Sequence, residues 1–161
     1  MIKYSISLLF FMIFVMLGCA MKEAKEQQSK FIVMKTPQIR FADMGFISNF
    51  EDRLNIQIYA SGEAIAALDI YENKICMSTF ECMPKQEFYK KTFGYKYPDD
   101  TLENIFLGKP IFNSLNLEKI SNGFTQKILK DDEYDISYSV VKGDISFNDK
   151  MHNITIKVKS Q

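Results

Sequence analysis

The sequence predicts an α+β domain, a curved and half-barrel-like antiparallel sheet with two short central helices on its concave face. Three observations predict it. Apolar and polar residues alternate along most of the chain, the breaks between those runs are too short for parallel crossovers, and the middle of the chain switches to a helical period. Strands, then helices, then strands again is the order of a sheet covered on one face by the central helices.

The chain opens on an export signal. Lys3 is the single early charge, and Ile6 to Leu17 is an almost unbroken apolar run. That run falls short of the roughly 20 apolar residues that span a bilayer. It ends in Gly18-Cys19-Ala20 with no basic stop-transfer cluster. Met16-Leu17-Gly18-Cys19 resembles the lipobox of bacterial lipoproteins. The resemblance implies loss of residues 1–18 as a signal peptide and lipidation of the Cys19 thiol. Acyl chains on Cys19 would make the membrane a partner, since each buried CH2 contributes about 0.8 kcal/mol. Ala20 stands where many lipoproteins retained at the inner membrane carry Asp. By that resemblance the expected address is the outer membrane, at its periplasmic face.

Residues 19–30, the lipidated cysteine followed by AMKEAKEQQSK, have no periodic apolar face and read as a flexible tether. Residues 31–161 then form one domain. Phe31 to Met34 begins a strand, and Ile39, Phe41 and Asp43 share one face of the next, with Pro37 at an edge or turn between them. Arg53 to Ser61 is the clearest strand, with Leu54, Ile56, Ile58 and Ala60 opposed to Asn55, Gln57 and Tyr59. Ser61-Gly62-Glu63 turns the chain into a strand over 64–72, and Asn73-Lys74 turns it into a third over 74–82.

Pro84 suits a first helical turn, with Phe88, Thr92 and Phe93 on one face and Gly94 as the stop. A second helix starts at the capping residues Asp99-Asp100-Thr101, carries the stripe Leu102, Ile105 and Phe106, and ends at Gly108 and Pro110. Strands return at 123–129, 134–141, 144–147 and 152–159, separated by turn residues such as Lys142-Gly143 and Asn148-Asp149-Lys150.

Charge and motifs narrow the function classes. With Lys3 removed, 19 basic residues face 20 acidic ones, a balance that argues against nucleic acid as a partner. Cys76 and Cys82 form an even pair beyond Cys19, and in an exported chain the simplest reading is a disulfide. Zinc normally takes three or four such ligands, the lone His152 is far off in sequence, and the spacing is not C-x-x-C. There is no G-x-S-x-G, P-loop or H-E-x-x-H motif and no cofactor fingerprint, so no catalysis is expected. Asp99-Asp100 reads as a helix cap, 130–133 as a solvated loop, and His152 as an exposed polar residue.

The segment Tyr97 to Pro110 is similar to a stretch of the outer-membrane lipoprotein receptor family LolB, in which a proline and a short helix precede a leucine-glycine-x-proline-like ending. That resemblance implies a half-barrel with a helical lid that receives acyl chains or other lipoproteins. The facing pattern then places Ile56, Ile58, Ile65 and Leu68 on the sheet side of an apolar site and Leu102, Ile105, Phe106 and Leu107 on the lid side. The alternative class is a non-enzymatic structural or protein-interaction envelope lipoprotein. A solid core beneath the second helix would favour it.

Overall fold

The computed structural model describes residues 23–78 and 80–160. The export signal and the lipobox with Cys19 lie outside the described residues. The first half of the chain is a meander of β1 (Glu26–Lys35), β2 (Arg40–Asn49), β3 (Arg53–Ala60), β4 (Glu63–Tyr71), β5 (Lys74–Met77) and β6 (Phe80–Pro84). The second is a meander of β7 (Leu117–Ile120), β8 (Gly123–Lys130), β9 (Tyr134–Val141), β10 (Asp144–Asp149) and β11 (Ile154–Lys159). Strands β1 and β11 pair in the middle, giving one open 11-stranded antiparallel sheet in the order β6-β5-β4-β3-β2-β1-β11-β10-β9-β8-β7.

This order dictates where the helices go. Strands β6 and β7 are consecutive in the chain yet form opposite edges of the sheet, so the connection between them crosses the sheet from edge to edge. It carries α1 (Lys85–Phe88), which runs into a π-helical turn over Tyr89–Phe93, and then α2 (Thr101–Phe106) and a 3-10 turn over Phe112–Ser114. Phe88, Tyr89, Phe93, Leu102, Ile105 and Phe106 from this connection are buried in one cluster with Ile32, Ile56, Ile136, Phe147 and Ile156 from the sheet. Elements as short as α1 and α2 are held by such packing rather than by their own helical stability. The buried Lys85 ammonium, 3.7 Å from the Glu103 carboxylate, joins the two.

Tight turns account for the meanders. Ser61 and Gly62 have φ of 52° and 85°, and Lys142 and Gly143 of 52° and 84°, the left-handed pair that two-residue hairpins demand. The Thr36 hydroxyl accepts the amides of Gln38 and Ile39 and folds the chain around Pro37 between β1 and β2. Gly45 in β2 is required by close approach. A Cβ there would collide with the Gln57 carbonyl oxygen and press on Ile32 Cδ1 at 2.8 Å.

Several boundaries differ from the sequence reading. Residues 26–30, expected in the tether, form the first half of β1 and pair residue by residue with β2, from Glu26 opposite Asn49 to Lys30 opposite Gly45. Backbone ladder bonds need no apolar side chains, so a polar segment continues the strand. The single strand expected over 74–82 is the hairpin β5–β6, closed by a Cys76–Cys82 disulfide with Cα atoms 4.0 Å apart. Pro84 is the last residue of β6 and the N-cap of α1, outside the helix proper. Asp100 is the N-cap of α2 but makes no capping bond, its carboxylate accepting instead from the Asn104 amide. Strand β7 went unread, because LEKI has no alternation to reveal it.

The ring closed by the disulfide is short. Replacing Cys76→Ser and Cys82→Ser together is expected to lower the unfolding free energy by about 2 kcal/mol, read by urea denaturation against the oxidised parent. An unchanged midpoint would show that the β5–β6 edge is held without the bond.

Candidate functional site: an apolar cleft on the inner face

Alternation along β1 sets the character of the site. Residues 26, 28, 30, 32 and 34 face the helices. Glu26, Gln28 and Lys30 line an open cleft, and Ile32 and Met34 continue the same face into the buried core. The cleft has a volume of about 240 Å³ and lies between the centre of the sheet and the end of α2. Its floor and walls are Ile47 of β2, Val158 of β11, Ile145 of β10, Val140 of β9, and Phe106 and Leu107. Glu26, Gln28, Lys30 and Asn49 form a polar side. At that side Gln28 donates to Glu26, and the Lys30 ammonium donates to the Ser160 hydroxyl at 3.0 Å.

Gly108, with φ of 64°, terminates α2 against the cleft wall, where an added Cβ would sit 3.5 Å from Val140 Cγ1. Such a left-handed stop is the usual way a helix ends on glycine. It lets the chain leave toward Lys109 and Pro110 without filling the cleft. Phe106 is the partition. It lines the cleft on one side and, on the other, a void of about 10 Å³ walled by Met34, Phe41, Ile56, Ile58, Leu68 and Met77. A void that small holds at most one water, and its walls offer that water almost no polar partner.

The eight residues expected to line an apolar site are therefore divided. Ile56, Ile58, Leu68 and Phe106 meet around the small void, while Leu107 joins Phe106 at the cleft. Leu102 and Ile105 are fully buried packing residues. Ile65 is the correction: it is 44% exposed, because β4 bulges there, with Ile58 pairing with Ala66 and Tyr59 with Ala64, so that Ile65 is the extra residue left out of the ladder and away from the inward Ala66, Leu68 and Ile70. Ile47, Val140, Ile145 and Val158 were missed. Each sits in an alternating run, but only the pairing of β1 with β11 brings the two meanders together around one cleft.

A second cluster lies where the crossing connection meets β9 and β10. Asp149, fully buried, accepts from the Tyr97 hydroxyl at 2.5 Å and from His152 Nδ1 at 2.8 Å through Oδ2. Its Oδ1 accepts the amides of Met151 and His152. A carboxylate only accepts, so the Nδ1 of His152 carries the proton. The ring of Tyr95 stacks on His152 at 4.3 Å between centroids. His152, expected to be exposed, is thus largely covered. Neither the cleft nor the void is lined by Tyr97, Asp149 or His152, and the cluster acts as a buried clamp.

Tyrosine hydroxyls hold the connection, Tyr89 from within it and Tyr134 and Tyr138 from β9. The Tyr89 hydroxyl accepts the Leu102 amide, Tyr134 donates to the Lys96 carbonyl, and Tyr138 donates to the Lys109 carbonyl. Burial raises the pKa of all three and of Tyr97, that of Tyr134 to about 12, so these hydroxyls remain protonated donors at neutral pH.

The cleft lining contains no serine, threonine, cysteine or histidine, and its ionisable side chains are Glu26 and Lys30 at the lip. Its chemistry is that of an apolar floor beside a polar lip, suited to a chain-like apolar group with a polar end. Fold and site together define an open antiparallel sheet whose helix-covered face holds a cleft with an apolar floor and a polar lip. No family model matches the chain, and no curated protein is significantly similar to it.

Proposed function

We propose that this chain is an envelope lipoprotein, anchored through Cys19 at the periplasmic face of the outer membrane, that binds an acyl chain or the acyl part of another lipoprotein in a half-barrel-like trough. It performs no catalysis in this reading. The observation that carries it is the cleft beside Phe106: apolar on its floor, polar at its lip, and separated by one aromatic ring from a second apolar void. At about 240 Å³ it is slightly smaller than ordinary small-molecule pockets, which suits part of one acyl chain.

A fluorescent fatty acid tests this. The parent chain is expected to bind it, and Leu107→Glu, which places a charge on a half-buried wall residue, is expected to weaken binding about tenfold or more. Leu107 is preferred to Phe106 for the test because Phe106 is also core packing, and its loss would unsettle the fold.

One observation favours the other class, a structural or protein-interaction lipoprotein. Beyond Phe106 the core beneath α2 is closely packed, and the void there among the described residues measures about 10 Å³. Absence of probe binding by the parent chain, or equal binding by Leu107→Glu, would select that class.

A further inference from the structure

The helices cover only one face of the sheet, and the bare outer face carries its own pattern across the central strands. On β1 the outward residues are Phe31, Val33 and Lys35, opposite in facing to the buried Ile32 and Met34. Directly paired residues share a face, so the register extends this row sideways. Phe31 lies beside Lys159 of β11, Val33 beside Lys157, and Lys35 beside Arg40 of β2. Phe46, further along β2, packs edge-to-face on Tyr59 of β3 at 5.6 Å. Phe31 and Phe46 are each 37% exposed, and Ile65 extends the apolar area on β4.

Four cations, Lys35, Arg40, Lys157 and Lys159, thus border an aromatic patch, and all four are exposed. None of them is in an ion pair among the described residues. The acidic group nearest in register, Asp144, is engaged by the Ser160 amide. Four cations against this one neighbouring carboxylate leave an excess of positive charge beside exposed aromatic rings on a regular sheet face.

We infer that this outer face docks on an anionic phospholipid bilayer, with Phe31, Phe46 and Tyr59 at the interface and Lys35, Arg40, Lys157 and Lys159 on the headgroups. Charge complementarity selects the occupant: cations near an anionic leaflet are attracted by its surface potential, the Tyr59 ring suits the headgroup level, and Phe31 and Phe46 add apolar area to bury at the boundary. A basic patch is also the kind of second signal that turns a lipid anchor into stable attachment. The inference uses the proposed anchorage at Cys19 only to bring a bilayer near, since the patch itself is built of described residues. Docking by this face would leave the cleft on the opposite face pointing away from the bilayer.

The test is lysine acylation of the full chain reconstituted in vesicles, with a membrane-impermeant reagent and mass-spectrometric readout. Phosphatidylcholine vesicles are compared with vesicles containing about 30% phosphatidylglycerol. Lys35, Lys157 and Lys159 are expected to be labelled about fivefold more slowly in the anionic vesicles, and about 0.5 M salt is expected to restore their labelling. Lys90 on the helical connection and Lys119 of β7, whose partner Phe124 faces the core, serve as internal references whose labelling stays constant. Phe31→Ser combined with Phe46→Ser alters only half-exposed positions, keeps the fold by circular dichroism, and is expected to lose the protection. Equal labelling in both lipids, or protection that survives the double substitution, overturns the inference. Protection that rises with protein concentration in either lipid also overturns it, in favour of a second copy of the chain covering the face. The mass of the N-terminal peptide reports separately whether Cys19 is lipidated, so failure of the anchorage and failure of the docking are told apart.

Discussion

Replacing Asp149→Ala is expected to cost this protein about 3 kcal/mol of stability, measured as the shift in a urea unfolding midpoint at unchanged slope. The carboxylate is fully buried and receives four hydrogen bonds, from the Tyr97 hydroxyl, His152 Nδ1 and the amides of Met151 and His152. Removing it leaves several donors without an acceptor inside the protein, and an unsatisfied buried polar group costs more than a made bond contributes. Asp149→Asn should cost roughly half as much, because its carbonyl oxygen still accepts while its amide group opposes donors. The loss should appear locally as well. Tyr97 and Tyr95 belong to the connection that crosses the sheet, so amide exchange over 94–98 should accelerate with that at 150–153. An Asp149→Ala protein as stable as the parent would mean that the clamp does not hold the connection.

Gln126→Leu is the second large effect, again about 3 kcal/mol. Gln126 is buried in β8 and makes three bonds to backbone: Oε1 accepts the Ile111 amide, and Nε2 donates to the carbonyls of Ile111 and Leu115. Those residues bracket the turn in which Phe112, Asn113 and Ser114 have φ of 49°, 51° and 63°, and Asn116 follows at 53°. Left-handed backbone costs roughly 1–2 kcal/mol per residue with a side chain, so the turn is tolerated only because its surroundings fix it. Leucine matches glutamine in bulk but leaves the Ile111 amide and the Leu115 carbonyl without the glutamine, while the Ile111 carbonyl keeps only the Ser114 amide. Hydrogen exchange over 111–120 is the sharper readout, since the turn delivers the chain to edge strand β7. Protection there unchanged by Gln126→Leu would show that packing of Phe112 on Tyr134 at 5.0 Å holds the turn instead.

Legibility of the fold followed the source of each element's stability. Strands such as β3 and β9, whose side chains alternate between core and solvent, carry that environment in their sequence, and the Gly62 and Gly143 turns announce themselves through the backbone they need. The Cys76–Cys82 bond followed from counting cysteines after the lipobox was set aside. The first half of β1 was hidden for a physical reason. Its inward residues Glu26, Gln28 and Lys30 border an open cleft rather than a core, so polarity there marks a lip, whereas by composition it resembled a tether. Ile65 shows the converse: an apolar residue in an apolar run is exposed, because a bulge between the Ile58–Ala66 and Tyr59–Ala64 pairs leaves it out of the ladder.

The site was legible in part. Leu107 and Phe106 were readable as the apolar end of a short helix stopped by glycine, whereas Val140, Ile145 and Val158 gained their place beside them from strand pairing some distance along the chain. Asp149 looked like a turn residue, and His152 like a solvated one. Their partnership with Tyr97 depends on a tyrosine more than fifty positions earlier, on the far side of the connection.

What the sequence determined by itself is local: which segments extend, where they turn, which cysteines bond and which helical residues are apolar, because propensity and period act between near neighbours. What only the tertiary structure decided is how the two meanders join. The pairing of β1 with β11 puts β6 and β7 on opposite edges, sends the helices across one face, and leaves Phe31, Phe46 and their cations bare on the other. Backbone ladder bonds between distant strands are chemically alike whatever their side chains. The choice among pairings therefore falls to the total burial of the assembled core, a quantity no single segment carries.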